Sequence, residues 1–478
     1  MANIELKKCL KGFNEHNPVM TQNFGADPYA ITYNGRVYLY MTGDDFIYDE
    51  SGNIKENNYS NIWQIRVVSS DDLVNWTDHG SVYAASDKGH ASWGNNSWAP
   101  AATYKIIDGK PKFFLYFANS GNGIAVLSAD SPVGPFTDPI NGPLISRATP
   151  TCAEVTWLFD PAVLMDDDGK AYIYFGGGVP SPDKASNPGT ARVAKLADDM
   201  ISLDGDPVAI ENVAYLFEDS GINKINGKYI YSYCSNFNVP EGGAPGMGFD
   251  CGEIITMVSD APMGPFEYKS GVLKNPSFFF GRGGNNHHCM FEFEGKWYMS
   301  YHARLAEEKM GVDAGYRSTN IDEINFDENG DILPIKGTRE GVKQLKNVDP
   351  KREIAAVTMA NQAGIDVAPY GKESEEAGYG NMILTGMTTG SWTMVSGVDF
   401  GSAAPKNIEG YFRGVNDGTV HVRIDVIDGD DVAVINVKAA ENFIAAHADF
   451  NKSITGVHDV FFVFEGEGYQ FEKWCVEV

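Results

Sequence analysis

Apolar and polar residues alternate along most of the first two thirds of the chain, and short polar turns interrupt the alternation. In five places an alternating segment runs into Asn, Asp or Glu, then Gly, then a second, aromatic-rich segment. These places are NGRVYLYM from Asn34, DGKPKFFLYF from Asp108, DGKAYIYF from Asp168, NGKYIYSY from Asn226 and EGKWYMSY from Glu294. A period of two around such a dipeptide predicts a β-hairpin with a tight type I′ turn at each place.

The five hairpins form a repeat. Their turn glycines are separated by 74, 60, 58 and 68 residues, with a mean of 65, which is enough for one four-stranded blade with its loops. A second pair of related segments, SADSPVGPF from Ser128 and SDAPMGPF from Ser259, lies two periods apart. We therefore predict a five-bladed β-propeller over residues 1–345, with an array of β-sandwiches joined by similar turns as the alternative.

The remaining third lacks the repeated hairpin. Residues 341–375 are mixed and polar, and after them VDFG, HVRIDVID and VHDVFFVFEG alternate like strands, with turn residues between them. Strands spaced in this way predict a small β-sandwich over residues 346–478. The predicted fold class is all-β, a five-bladed propeller followed by a β-sandwich of jelly-roll type.

The propeller repeat indicates which side chains meet. The innermost strand of each blade lines the axis, so equivalent positions converge on one rim. The positions eight or nine residues before the five turn glycines are Asp27, Pro100, Asp160, Glu218 and His287. Three carboxylates and a histidine are thus predicted to share one ring.

Acidic residues beside apolar strands are costly to bury unless something compensates. Asp27, Asp160 and Glu218 could cap turns or pair with Lys and Arg, which is the structural alternative. Three in register favour function, because crowded carboxylates in an apolar setting have pKa values that move apart. Glycoside hydrolysis needs such a pair, an ionised base that activates water and a protonated acid for the leaving group.

Other residues near this rim suit a sugar. Aromatic side chains stack on sugar faces, and we expect Phe24, Trp98 and Trp157 to lie near the three acids. Arg317 could donate to vicinal hydroxyls or hold Asp160 ionised, and a surface salt bridge is the alternative. For His287 a hydrogen-bonded core histidine, a general base and an ion ligand all remain open.

Charge and composition narrow the possible partners. Asp and Glu total 64 against 37 Lys and Arg, a formal charge of −27. Nucleic acid and anionic membrane surfaces would be repelled, whereas a neutral partner such as a sugar would not. The start lacks an apolar signal segment, so we expect a cytoplasmic protein, and the six cysteines have no C-x-x-C spacing, so reduced thiols are expected.

Five motifs together resemble glycoside hydrolase family 43. They are ADPYAITYNGRVYLYMTGDD, SWAPAATY, LFDPAVLMDDDGKAYIYFGG, FEDSGINKINGKYIYSYCSN and NNHHCMFEFEGKWYMSYH, spanning about residues 20–345. The resemblance implies an inverting mechanism with Asp27 as general base, Glu218 as general acid and Asp160 tuning and orienting Glu218. It also implies that Arg317 grips the sugar and that His287 holds a structural Ca²⁺ in the channel through water. No cofactor is expected for the chemistry.

The tail from about Arg352 is similar to carbohydrate-binding modules of family 6. VTMANQAGI, GSWTMVSGVDFG, TVHVRIDVIDGD and TGVHDVFFVFEG carry that resemblance. Two positions depart from the pattern: Val357 replaces a calcium-holding acid, and Phe443 stands in the loop that usually offers a stacking tryptophan. We therefore expect this module mainly to pack against the propeller.

The sequence thus predicts a glycosidase that removes terminal α-L-arabinofuranosyl groups from arabinoxylan-derived oligosaccharides or polysaccharide. The pairing of this propeller type with a family 6-like tail favours that substrate. The alternatives are a β-xylosidase, an endo-acting arabinanase or xylanase, a non-catalytic glycan-binding propeller and a protein-interaction propeller. Loops 84–98 and 236–252 are where specificity is expected.

Overall fold

A computed structural model describes residues 4–477 of the chain. Its first five sheets are antiparallel and follow one another in sequence as the blades of a β-propeller. Their strands are, in chain order, β1 (Ala26–Tyr33), β2 (Arg36–Thr42), β3 (Gln64–Ser70), β4 (Trp76–Tyr83); β5 (Trp98–Ile107), β6 (Lys110–Ala118), β7 (Gly123–Ala129), β8 (Ile145–Ser146); β9 (Ala162–Met165), β10 (Ala171–Phe175), β11 (Arg192–Leu196), β12 (Val208–Ala209); β13 (Leu216–Ile225), β14 (Lys228–Ser235), β15 (Ile254–Ser259), β16 (Glu267–Leu273); and β17 (His288–Phe293), β18 (Lys296–Ala303), β19 (Ser318–Ile324).

The ring closes between the first and last blades. The inner strands contact one another in the order β1, β5, β9, β13, β17 and back to β1. The expectation of four strands per blade is wrong for blade 5, whose sheet has three strands among the described residues. The chain before β1 lies along β19 instead, where Val19 N–H donates to the Thr319 carbonyl and Gly25 N–H to the Arg317 carbonyl. These hydrogen bonds join the first blade to the last.

The predicted hairpin turns are present, with one difference. In four of them both turn residues are left-handed, as in Asn34 (φ 48°) and Gly35 (φ 71°), which fits a type I′ turn. In the third, the turn is longer, running between Met165 and Ala171, and Gly169 (φ 79°) is its left-handed residue. The Asp166 N–H donates to the Lys170 carbonyl, and the Asp166 carbonyl accepts from the Gly169 N–H. The extra aspartates of DDDG therefore belong to this turn.

The C-terminal strands form two facing antiparallel sheets. The strands of this region are β20 (Ile354–Ala355), β21 (Thr358–Met359), β22 (Asn361–Ala363), β23 (Asp366–Pro369), β24 (Met382–Thr385), β25 (Trp392–Asp399), β26 (Asn407–Gly414), β27 (Gly418–Ile424), β28 (Ala433–Val437), β29 (Ala440–Asp449), β30 (Val457–Glu465) and β31 (Tyr469–Glu477). One sheet has the order β23, β24, β31, β26, β29, with β20 also paired to β31, and the other has the order β22, β25, β30, β27, β28. A core of aromatic and branched side chains fills the space between the sheets.

This sandwich is attached to blade 1. Strand β21 extends the blade 1 sheet by pairing with β4, the outermost strand of that blade. Asn75, in the turn before β4, exchanges hydrogen bonds with the backbone of Ser396 in both directions. Val357 is buried in the sandwich core and its carbonyl accepts from Asp78 N–H. The predicted division at residue 345 falls between β19 and β20.

Helices are few and short. They are α1 (Pro276–Phe280), α2 (Leu305–Met310), α3 (Lys372–Ala377) and one 3₁₀ turn, Pro182–Lys184. Over residues 4–477, none of these helices has the length and apolar character needed to span a bilayer. All six cysteines are free thiols.

Candidate active site

A cavity of about 530 Å³ opens at the edge of the propeller where the inner strands begin. Seven residues singled out from the sequence line it: Asp27, Trp98, Trp157, Asp160, Glu218, His287 and Arg317. Blade 2 contributes Trp98 and Ala99 to this lining in place of Pro100. The count from the turn glycines therefore located the cavity, with an error of one position in blade 2.

Backbone irregularities at the mouth of the cavity aim these side chains. Asp27 (φ 46°), Ala99 (φ 42°), Asp160 (φ 51°) and Asp219 (φ 70°) are all left-handed, one in each of four blades. The pairing register shifts at this point in β1, β5 and β13. Bulges of this kind re-aim a side chain and are frequent beside active sites, and non-glycine residues are held in this region only when their surroundings demand it.

Asp27 is held in its ionised form. Burial, the largest single cause, would raise the pKa of its carboxyl, but Arg317, together with His302 and His287, holds the pKa well below the usual value. Nη1 of Arg317 lies 3.0 Å from Oδ1 of Asp27. The Asp27 backbone N–H donates to Nδ1 of His302 (3.1 Å), and Nε2 of that ring contacts the Asn285 carbonyl oxygen (3.0 Å).

Arg317 is itself fixed by a second carboxylate. Nε and Nη2 of Arg317 donate to the two oxygens of Asp44 at 2.8 and 2.9 Å, and the Tyr59 ring lies over the guanidinium, 4.9 Å from its carbon. Burial would lower the pKa of Arg317, but Asp27 and Asp44 together raise it. The sequence-based alternative that Arg317 ionises Asp160 is corrected here, because its hydrogen bonds go to Asp27 and Asp44.

Glu218 differs from Asp27 in that its pKa is raised. Its Oε1 is buried and has no hydrogen-bond partner among residues 4–477. Burial, followed by the nearby carboxyls of Asp160 and Asp27, raises the pKa of Glu218 well above its ordinary value. Burial and Asp27 likewise raise the pKa of Asp160, whose Oδ2 accepts the Asp219 backbone N–H at 2.9 Å. The cavity therefore combines one carboxylate of lowered pKa, Asp27, with two acids of raised pKa, Asp160 and Glu218.

His287 stands between the acids. Its Nδ1 lies 3.7 Å from both Asp27 and Asp160, and its Nε2 lies 3.1 Å from Asp219. Burial lowers the pKa of His287, against the opposing charges of Asp219 and Asp27. Asp219 also accepts from the backbone N–H and Nδ1 of His288. It thus orients both histidines.

The same residues decide how a cation could be held here. In the described part of the chain no group of three or more His, Cys, Asp or Glu side chains has metal-binding geometry. Nε2 of His287 faces Asp219, and Nδ1 faces two carboxylates. Ca²⁺ prefers oxygen ligands, so these side chains fit a Ca²⁺ held through intervening waters rather than by direct His287 ligation.

An aromatic wall borders the acids. Trp157 lies 5.3 Å from both Phe159 and Phe217, and Phe217 lies 5.4 Å from Phe237, which is 51% exposed. Trp98 also lines the cavity, and its indole N–H donates to the Tyr59 carbonyl.

Phe24 is a correction. Its ring packs on Phe46 and Tyr316 in a separate cluster, at 4.9 and 5.8 Å. Phe24 lies three residues before Asp27, which suggested that its ring lines the cavity. The backbone irregularity at Asp27 separates the directions of the two side chains. Phe24 therefore contributes to packing.

Several site residues were missed from the sequence, and a simple signal would have found two of them. The second strand of each hairpin returns to the edge where the first begins, so residues after the turn glycine also reach the cavity. Asp44 lies nine residues after Gly35, and His302 lies seven after Gly295. The count from the turn glycines gives one position per blade, so it did not reach Asp219 and Phe217, the two chain neighbours of Glu218.

Comparisons with known proteins identify the family of each part of the chain. The family model of glycosyl hydrolases family 43 matches residues 15–332, and that of the family 6 carbohydrate-binding module matches residues 355–477. An arabinoxylan arabinofuranohydrolase of Paenibacillus polymyxa is 45% identical, over 95% of this chain and 72% of the relative. One from Bacillus subtilis (strain 168) is 42% identical, over 97% of this chain and 93% of the relative.

A solved structure is also similar along the whole chain. It is the crystal structure of a glycoside hydrolase family 43 arabinoxylan arabinofuranohydrolase from Bacillus subtilis in complex with cellotetraose. The TM-score is 0.92 at 42% identity, and the match covers 98% of this chain and 99% of that one. The chain is therefore a glycosidase acting on carbohydrate, a member of glycosyl hydrolases family 43 that carries a C-terminal carbohydrate-binding module of family 6.

Proposed function

We propose that the protein removes terminal α-L-arabinofuranosyl groups from arabinoxylan or arabino-oligosaccharides, with inversion at the anomeric carbon. Two relatives more than 40% identical over most of this chain carry the name arabinoxylan arabinofuranohydrolase. The observation that supports the mechanism best is the contrast within one cavity. Asp27 has a lowered pKa, whereas Glu218 has a raised pKa and an unpartnered buried oxygen.

The chemistry follows from that contrast. Glu218 donates its proton to the glycosidic oxygen as the bond from that oxygen to the anomeric carbon breaks. Asp27 accepts a proton from a water whose oxygen bonds to the opposite face of the same carbon. The products are arabinose of inverted configuration and the freed hydroxyl of the acceptor. Glu218 ends as a carboxylate and Asp27 as an acid, and exchange with solvent restores both.

Asp160 is assigned a tuning role. Its carboxyl accepts the N–H of Asp219, the residue that follows Glu218 in the chain, and its charge is one of the causes of the raised Glu218 pKa. It therefore orients the strand that carries the acid and favours the protonated form of that acid.

The remaining cavity residues are assigned to binding. Arg317 has a planar group at the edge of the cavity that suits sugar hydroxyls. Phe217 is the chain neighbour of Glu218, and its ring continues from Trp157 towards the exposed Phe237. Since the acid faces the leaving group, we assign this aromatic wall to the acceptor side of the bond.

No metal is assigned a chemical step, because the acid and base are both supplied by side chains. A Ca²⁺ near His287, held through waters, would stabilise the channel and keep the ring of acids in place. Dialysis against EDTA is expected to lower the melting temperature while leaving kcat within about twofold at 25 °C. A loss of kcat that Ca²⁺ restores at unchanged folding would contradict this assignment.

The proposed function is tested by release of 4-nitrophenol from the α-L-arabinofuranoside and the β-D-xylopyranoside, with native protein and Glu218→Ala side by side. Turnover of the arabinofuranoside by native protein, with a slower rate in the variant, is the expected result. Preference for the xylopyranoside would reassign the protein as a β-xylosidase. Turnover of neither compound would return attention to an endo-acting enzyme or a glycan-binding propeller.

A further inference from the structure

One tyrosine of the sandwich is buried in the propeller. Tyr379 lies between α3 and β24, is 2% exposed, and belongs to the hydrophobic cluster of the blades rather than to the core between the two sandwich sheets. A Cβ at Gly134, in blade 2, would lie 2.6 Å from the Tyr379 ring. The Tyr379 backbone also forms a β-bridge with Gly80 in β4 of blade 1. The sandwich therefore inserts one side chain that contacts both of the first two blades.

The hydroxyl of Tyr379 contacts two separate segments of the propeller. It accepts the backbone N–H of Phe136, which follows β7 in blade 2, at 2.8 Å, and Nε2 of His90 lies 3.3 Å from it. His90 belongs to the loop 84–97, which joins blade 1 to blade 2, and its ring meets the Tyr379 ring edge-on. A buried N–H that loses its acceptor is costly to the folded state. The hydroxyl therefore ties the loop 84–97 to blade 2.

The other end of the loop 84–97 shapes the wall of the main cavity. Asn96 is buried, and its Nδ2 donates to the carbonyls of Ser60 (2.9 Å) and Ile62 (3.0 Å). Directly after the loop, the Trp98 indole N–H donates to the Tyr59 carbonyl at 3.0 Å. Tyr59, Ile62 and Trp98 all line the cavity. The position of the loop therefore fixes this part of the cavity wall.

A shift of the loop would act on the wall before it acts on the acid and the base. Asp27 and Glu218 belong to β1 and β13, whereas the contacts of the loop are with Trp98 and the segment that contains Tyr59. The Tyr59 ring lies over the guanidinium of Arg317, which two hydrogen bonds to Asp44 also hold. Displacement of the loop should therefore weaken substrate binding more than it slows the proton transfers.

We propose that Tyr379 is a positioning residue of the active site. By holding the loop 84–97 against blade 2, its hydroxyl keeps Tyr59 and Trp98 in place for the substrate. The sandwich thus contributes to the reaction from inside the propeller, independently of any glycan that it binds. The inference rests on the proposed function in taking the main cavity as the active site. One of the two loops in which specificity is expected therefore has an anchor in the other domain.

The test removes the hydroxyl and keeps the ring, in Tyr379→Phe. Tyr469→Phe is the matched control, because Tyr469 is also 2% exposed and its hydroxyl donates to the carbonyls of Thr419 and Glu465, both in the sandwich, at 3.3 Å. Loss of these hydrogen bonds should lower the melting temperature of both variants. A melting temperature alone therefore does not distinguish the positioning role from a structural one, and the kinetic constants do.

Initial rates are measured at 25 °C, where both variants are folded, on a xylo-oligosaccharide with one arabinosyl branch. For Tyr379→Phe we expect KM to rise about fivefold or more, with kcat within about twofold of native, and for Tyr469→Phe we expect both constants within about twofold. Trp98→Ala supplies the second comparison. In that background Tyr379→Phe should raise KM by a smaller factor than in the native background, because one of the side chains that it positions is gone.

Three results would overturn the inference: a native KM in folded Tyr379→Phe, an equal rise in Tyr469→Phe, or an undiminished rise in the Trp98→Ala background. If Tyr379→Phe does not fold, His90→Ala replaces it, since it removes the partner on the loop and leaves the bond to Phe136, and the same rise in KM is expected. Failure of the native protein on the arabinosyl substrates would instead count against the proposed function. If it prefers the nitrophenyl xylopyranoside, the same comparison on that compound still tests Tyr379.

Discussion

The charged groups of the propeller cavity and those of the sandwich differ in how completely they are paired. In the cavity, Glu218 is buried with an unpartnered oxygen and a raised pKa. In the sandwich, His421 lies between Asp431 (2.9 Å) and Glu465 (3.1 Å), and Arg423 donates to Asp431 at 2.8 Å. Titratable groups that are fully paired stabilise a fold, whereas an unpaired acid opposite an ionised base is arranged for proton transfer.

Aromatic side chains differ between the two regions in the same way. Trp157 and Phe217 line an open cavity. In the sandwich, Tyr370 and Phe443 both contact the guanidinium of Arg413, whose central carbon lies 4.8 and 4.9 Å from the two ring centres. Ring faces that could stack on a sugar are thus occupied by the protein's own cation. That the module mainly packs against the propeller stays a prediction.

The largest expected effect comes from the two acids of the cavity. Asp27→Asn removes the base and should lower kcat about 10³- to 10⁴-fold on every substrate. Glu218→Gln should lower kcat by a similar factor on oligosaccharides but by less on nitrophenyl glycosides, because nitrophenolate leaves without a proton. Initial rates on both substrate types measure the difference.

Asp431→Asn is the matched control in the sandwich. It also removes one carboxylate, but a half-buried and paired one. We expect lower stability to denaturant and a kcat within twofold of native. A loss of kcat in Asp431→Asn equal to that in Asp27→Asn or Glu218→Gln would contradict the distinction between paired and unpaired groups.

The next effect concerns positioning. Asp44→Asn leaves the base in place but removes one charge that fixes Arg317, so kcat/KM should fall about 10- to 100-fold. The fall should come mainly through KM if Arg317 acts on the sugar. It should come mainly through kcat, with the acid limb of the pH profile moved, if Arg317 acts through Asp27. Native values for both would show that Asp44 has no positioning role.

A smaller effect is expected in the pH profile. The active form has Asp27 ionised and Glu218 protonated, so activity falls as pH drops through the Asp27 pKa and as pH rises through the Glu218 pKa. The first limb should lie below the ordinary Asp value, and the second above the ordinary Glu value of 4.5. In the variant Asp160→Asn, burial still raises the Glu218 pKa, but the contribution of the Asp160 carboxyl to that rise is removed.

The alkaline limb of Asp160→Asn should therefore move to lower pH. Profiles of kcat/KM for the native protein and the variant measure it. An alkaline limb that stays in place, or moves upward, would show that Asp160 does not raise the Glu218 pKa.

The smallest effect is expected on the sandwich surface. Arg413→Ala removes the cation between the two rings and should change kcat/KM on soluble oligosaccharides less than about twofold. Trp157→Ala, its counterpart in the cavity, should lower the same quantity at least tenfold. A loss for Arg413→Ala that approaches that of Trp157→Ala would place substrate on the sandwich.

The sequence predicted the parts of the fold that local rules determine. The five turn glycines set the blades, and the repeat placed Asp27, Asp160, Glu218 and His287 in one cavity. It missed features that depend on contacts distant in sequence. The three-stranded last blade is completed by residues near Val19, and Asp44 reaches Arg317 across 273 positions of chain. Phe24 was misplaced because a backbone irregularity redirects side chains in a way that periodicity does not reveal.

The measurement that tests the central claim most directly is proton NMR of the first product formed from 4-nitrophenyl α-L-arabinofuranoside. Asp27 as base and Glu218 as acid predict that β-L-arabinofuranose appears first and then equilibrates with the other forms. Glu218→Gln, followed in parallel, should give the same anomer at a reduced rate. If the α anomer appears first, a covalent intermediate is required, and the assignment of Asp27 as a base acting on water is wrong.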